Sequence, residues 1–153
     1  MNLLFAYVEQ EELSRAMTEI VNEELEHFLM VLDLLAQRGI AFRKLRPGGY
    51  GQKLHELIGK REPQRAVDRL LVAGLIEARS CERFDLLRQH VQDQELADFY
   101  GGLFESEARH HAVYVKLAKS FRDEATVKQR LDELAAEEAA ILAEGDTLPR
   151  MHS

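Results

Sequence analysis

The chain has 153 residues, 46% apolar and 31% charged, with a formal net charge of −7, which is one domain's length and a globular balance. No apolar run approaches the length of a membrane span, and the opening residues 1–8 lack the basic start of a signal peptide. A single cysteine, Cys81, excludes an internal disulfide and points to a reducing cytoplasm.

Three prolines and nine glycines interrupt a chain rich in Ala, Leu, Glu and Arg, which predicts an all-α protein. Residues 1–8 read as the remnant of a helix with no N-cap. A long helix is expected from about Glu9 to Arg38, stopping at Gly39. Pro47-Gly48-Gly49-Tyr50-Gly51 is too glycine-rich for regular structure, and a short helix at about 52–60 is expected within this crossover of residues 39–62. Pro63 suits the first turn of a second long helix, about 63–91, and Asp93 suits the cap of a third, about 94–121. A C-terminal helix, about 123–143, carries Val127, Leu131, Leu134 and Ile141 on one face. A long crossover followed by the tight turn at 92–93 is the connectivity of a ferritin-like four-helix bundle. Residues 1–153 are thus expected to form a single domain.

The core stripes of three helices contain polar intruders. In the first long helix, Leu13, Met17 and Ile20 lead to Glu24 and His27, then Val31 and Leu34. In the third, Leu96, Tyr100 and Leu103 lead to Glu107 and His110, then Tyr114 and Leu117. In the second, Glu77 follows Val67, Leu70 and Gly74 and precedes Cys81 and Phe84, with Gly74 and Cys81 leaving room beside the carboxylate. Residues three apart share a helix face, and burying a carboxylate costs several kcal/mol unless something pairs with it. The alternative is a buried salt-bridge network that fixes helix register. No Arg occupies the same stripes, however, and a carboxylate-imidazole set suits iron or manganese. Cys81 reads as a small core residue, and His111, about 100° around the helix from His110, is left outside the site.

The two Glu-x-x-His motifs stand 83 residues apart, and Glu77 lies 30 before Glu107. The equivalent partner of Glu24 therefore falls upstream of Met1, on a first helix of which most is absent here. Residues 38–69 hold nine Lys or Arg against three acids, a basic segment suited to a polyanion or simply to a solvated surface.

Three runs carry a resemblance to a known family: Glu24-Leu25-Glu26-His27-Phe28, Ile76-Glu77-Ala78-Arg79-Ser80-Cys81-Glu82-Arg83-Phe84 and Ser106-Glu107-Ala108-Arg109-His110. Together they resemble the tRNA 2-methylthio-isopentenyl-adenosine hydroxylase family (MiaE), with Arg38-Gly39-Ile40 and Glu62-Pro63 in agreement. The resemblance implies a ferritin-like, non-haem di-iron monooxygenase that takes dioxygen and electrons from an external donor to hydroxylate the isopentenyl group of a hypermodified tRNA adenosine. It assigns Glu24, His27, Glu77, Glu107 and His110 as ligands to two iron ions, with manganese as the other metal to consider. Arg43, Lys44, Arg46 and Lys53, with Arg79 and Arg83, are the candidates for tRNA phosphates, although helix-surface ion pairs explain Arg79 and Arg83 equally well. The expected partners are tRNA, an electron-transfer protein and no membrane, with a homodimer as one way to cover the face that the missing helix leaves. The rival readings are a ferritin-like oxidase or peroxide-handling protein, and a non-catalytic, self-associating helical bundle.

Overall fold

The computed structural model describes residues 2–152, which form six helices and no strand. The helices are α1 (Asn2–Ala6), α2 (Glu11–Gln37), α3 (Tyr50–Glu56), α4 (Gln64–His90), α5 (Gln94–Ala118) and α6 (Glu124–Glu144). The chain divides into two compact units, Met1–Pro47 and Gly48–Ser153. None of the described helices is long and apolar enough to cross a membrane.

In the first unit α1 packs on α2. Leu13, Met17 and Ile20 are buried, as their spacing predicts, whereas the C-terminal half of α2 exposes Leu25, Phe28, Leu29 and Met30. The helix stops where Gly39 takes a φ of 65°. The Gly39 amide then donates to Ala36 and the Ile40 amide to Leu35. Glycine adopts this left-handed turn without a Cβ penalty, and the paired hydrogen bonds satisfy the last carbonyls. Residues 40–48 follow without regular structure.

The second unit is built on the α4–α5 pair. Val67, Leu70 and Leu71 of α4 are fully removed from water, each contributing roughly 1.5–3 kcal/mol through its apolar burial. The closeness of the pair is set at Gly74, where an added Cβ would stand 3.3 Å from Tyr114 Cβ. The room expected beside Glu77 is therefore taken by α5, and His111 Nδ1 donates to the Gly74 carbonyl at 2.7 Å. Asp93 caps α5 by accepting from the Leu96 amide, and Asp123 caps α6 by accepting from Thr126. The glycine-rich stretch is more regular than expected: Gly49 is the N-cap of α3, and Gly51 lies within it.

α6 packs on α3 and α4, with Val127 and Leu134 buried. Its core stripe also contains Glu138, 3% exposed. This acid accepts two hydrogen bonds from Arg79, at 2.9 and 2.7 Å, and one from Tyr50 Oη at 2.9 Å. Asp68, fully buried on α4, is likewise held by Arg130 of α6, the Gly59 amide and the Gln64 side chain. Beyond Gly145 the chain turns back towards α3. Asp146 accepts from the Gly49 amide at 2.7 Å, and the His152 ring stacks on Tyr50 with centroids 4.9 Å apart.

Candidate metal centre

The α4–α5 pairing brings Glu77, Glu107 and His110 together. One ligand atom from each lies within 4.8 Å of the others. Glu107 and His110 occupy adjacent core slots of α5 and are 6% and 2% exposed, and Glu77 is half-buried on α4. Two carboxylates this close, largely withdrawn from water, repel each other strongly unless a cation lies between them. Two hard oxygen donors and one imidazole form a donor set for iron or manganese. The residues present therefore fit a metal of that kind.

Cys81 borders this cluster one turn beyond Glu77. Burial, then the nearby charges of Glu107 and Glu77, push its thiol up to about 11, and the Sγ donates to the Phe104 carbonyl at 3.6 Å. Its small size and this hydrogen bond make it a packing group beside the cluster, the reading its position in the α4 stripe suggested.

The other copy of the motif lies on α2, in the first unit. There His27 Nδ1 stands 3.7 Å from Glu24 Oε1, and the two side chains are 17% and 46% exposed. The i, i+3 spacing places both on one face, as expected.

The cationic candidates divide clearly. Arg43, Lys44 and Arg46 are exposed on the irregular stretch after α2. Lys53 pairs with Glu144 at 2.5 Å. Arg79 is engaged by Glu138 and Glu82, and the hydrogen bond to Glu138 leads the causes that hold its guanidinium well above the ordinary value. The ion-pair alternative is thus realised at Arg79. Arg83 is half-buried, with its Nε enclosed.

Sequence reasoning passed over Glu138 and Asp68. The signal for Glu138 was available, because it fills the slot between Leu134 and Ile141 in the α6 stripe. Its Arg79 partner is 59 residues distant, which no local pattern could reveal.

Comparison with known proteins accounts for this arrangement. The family model for tRNA-(MS[2]IO[6]A)-hydroxylase (MiaE) matches residues 1–153. A protein of Pseudomonas putida, named tRNA 2-(methylsulfanyl)-N(6)-isopentenyladenosine(37) hydroxylase, is 39% identical over 153 residues, which is all of this chain and 74% of that protein. A protein of Salmonella typhimurium with the same name is 34% identical over 137 residues, covering 90% of this chain and 50% of its own length. Among solved structures, Protein 43 with aldehyde deformylating oxygenase activity from Synechococcus superposes with a TM-score of 0.92 at 41% identity, covering 99% of this chain and 77% of that one. The all-α fold is of the ferritin-like class, as the helix order and crossover predicted. By the full-length family match and the identity to two tRNA hydroxylases, the chain belongs to the tRNA-(MS[2]IO[6]A)-hydroxylase (MiaE) family.

Proposed function

We propose that this chain is a metal-dependent, dioxygen-using tRNA hydroxylase acting on the isopentenyl group of a hypermodified adenosine. The observation that carries the reading is the largely buried Glu77–Glu107–His110 cluster in a chain that belongs to a tRNA hydroxylase family. Glu77, Glu107 and His110 would hold one iron, and Glu24 with His27 would hold the second. When bound, iron supplies the redox chemistry that couples dioxygen to C–H hydroxylation. One oxygen atom enters the C–H bond and the other leaves as water, so an external donor must provide two electrons and two protons.

The protein's own contribution is placement. The carboxylate and imidazole share the buried face of α5 with Leu103, Tyr114 and Leu117, which favours a fixed placement. His111 and Gly74 hold α4 close to α5 beside the site. Arg43, Lys44 and Arg46, exposed after α2, would meet tRNA phosphates. The site of action would be the cytoplasm. Leu25 and Leu29, 55% and 58% exposed on α2, support a homodimer in which a second copy covers that strip, and a dilute sample that sizes as a monomer would dismiss it.

The test is anaerobic reconstitution with iron, followed by dioxygen, a reductant and tRNA carrying the prenylated adenosine. Nucleoside digestion with mass analysis should then show one added oxygen on that nucleoside. Metal-loaded protein that binds the tRNA yet leaves the nucleoside unchanged would overturn the reading. A second reading rests on the Synechococcus structure: an oxygenase acting on an aldehyde. Turnover of an aldehyde with no tRNA binding at low salt would favour it.

A further inference from the structure

The irregular stretch after α2 is neither a plain linker nor a uniformly basic loop. Ile40, Phe42 and Leu45 are 54%, 61% and 55% exposed, interleaved with exposed Arg43, Lys44 and Arg46. No acid occurs between Arg38 and Pro47. Exposing a phenylalanine to this extent forfeits most of the stabilisation that its burial would contribute. Phe42 is nevertheless held in place, because its ring meets Phe28 of α2 edge to face, with centroids 5.7 Å apart and an interplanar angle of 81°. Such T-shaped pairs fix one ring against the other while leaving a π-face open.

We propose that Phe42, propped by Phe28 and flanked by Arg43, Lys44 and Arg46, is a stacking platform for an unpaired RNA base whose neighbouring phosphates lie on those cations. Single-stranded loops are recognised through splayed bases stacked on aromatic rings, whereas duplex RNA hides its bases and offers mainly phosphates and 2′-hydroxyls. A ring between cations on an acid-free segment meets both needs of a loop. It adds to the charge attraction a contact that a duplex cannot satisfy. The inference rests on the tRNA reading and sharpens it: the chain would hold its substrate by an unpaired loop base, on a residue outside the metal site.

The experiment compares binding of two RNAs of equal length and charge, a hairpin with a seven-nucleotide loop and a fully paired duplex, by fluorescence anisotropy over a salt series. Phe42→Ala should weaken hairpin binding about tenfold or more and leave duplex binding unchanged, while Phe42→Trp should retain or improve it. Phe42→Leu, which keeps the apolar contact with Phe28 but has no π-face, should behave like Phe42→Ala. Replacing Arg43, Lys44 and Arg46 together by Gln should weaken both RNAs and reduce the salt slope by about two. Circular dichroism of each variant should show the wild-type helix content.

Unchanged hairpin affinity in Phe42→Ala, with losses only in the Gln variant, overturns the platform and leaves the tRNA reading intact. A Phe42→Ala protein that dissociates from dimer to monomer with no change in RNA affinity assigns the ring to a second copy and also overturns it. Wild-type protein that binds neither RNA at low salt overturns the platform and the tRNA reading together.

Discussion

The same Glu-x-x-His spacing stands in two very different surroundings. On α5, Glu107 and His110 are almost fully withdrawn from water, with Glu77 of α4 beside them. On α2, Glu24 keeps nearly half of its side chain exposed while facing His27. Water stabilises the α2 carboxylate, so its charge costs little on its own account. The α5 carboxylate lacks that help and sits near a like charge in a medium of low dielectric, where each interaction is several times stronger. Spacing therefore identifies the helix face, and burial decides how strongly that face demands a cation. The α5 copy should bind metal first and tightest, and the α2 copy should be the half that is readily lost.

The largest expected effect tests whether burial sets the value of charge compensation elsewhere in the chain. Asp68 is fully buried and takes hydrogen bonds from Arg130 at 2.8 and 3.2 Å. Arg130→Ala leaves that buried carboxylate with only the neutral Gly59 and Gln64 donors and should cost about 3 kcal/mol, read as a shift in the urea midpoint at constant slope. The matching pair in the first unit is Arg15 with Glu11, 76% and 79% exposed. Its loss in Arg15→Ala should leave the midpoint unchanged within error, since exposed pairs contribute little. Equal losses from the two substitutions would break the comparison.

The next effect concerns the two motif copies directly. Glu107→Ala should lower iron affinity at least tenfold, since removing even an outer partner of a ligand costs 10–100-fold. Metal analysis after desalting should then find almost no iron. Glu24→Ala should remove only the weaker-held share. Glu107→Ala protein that retains as much iron as Glu24→Ala protein would show that burial does not rank the two copies.

The helices were legible because local rules governed them. Gly39 ended α2, Asp93 capped α5, and the period of apolar residues marked the buried faces. The grouping of Glu77, Glu107 and His110 was legible for a related reason: Glu107 and His110 interrupt a stripe whose other members are large and apolar. The same rule, applied evenly, would have included Glu138, which also interrupts a core stripe but is compensated by Arg79. A buried acid announces that it needs a partner, and the sequence alone does not say whether that partner is a metal or an arginine from another helix. Asp68 is harder still, because it lies beside the α4 stripe and its partner Arg130 is 62 residues away. The space at Gly74 could not be read at all. A missing Cβ fits equally well with a pocket or with close helix packing, and here Tyr114 and His111 fill it.

The smallest effect belongs to the C-terminal segment, whose attachment differs in kind from the α4–α5 core. His152 is stacked on Tyr50. Burial, with the charges of Arg83 and Arg79, lowers its imidazole below the ordinary 6.5, against an opposing pull from Glu138. Tyr50 is pushed the other way, mainly by burial and by its bond to Glu138, and stays a neutral donor. A histidine whose folded value is depressed binds protons less readily when docked than when free. Docking is therefore fully supported above 6.5 and weakens as the pH falls through the folded value. Amide exchange followed from about pH 8 to pH 5 should show residues 146–152 losing protection on acidification while α4 and α5 keep theirs. His152→Phe preserves the stack and removes the titration, so its protection should be flat over the same range. If that variant loses protection in parallel with the wild type, the acid sensitivity does not lie in the imidazole; nor does it lie in Asp146, whose bonds from the Gly49 and Leu148 amides hold its carboxyl below the usual range and keep it ionised over this window.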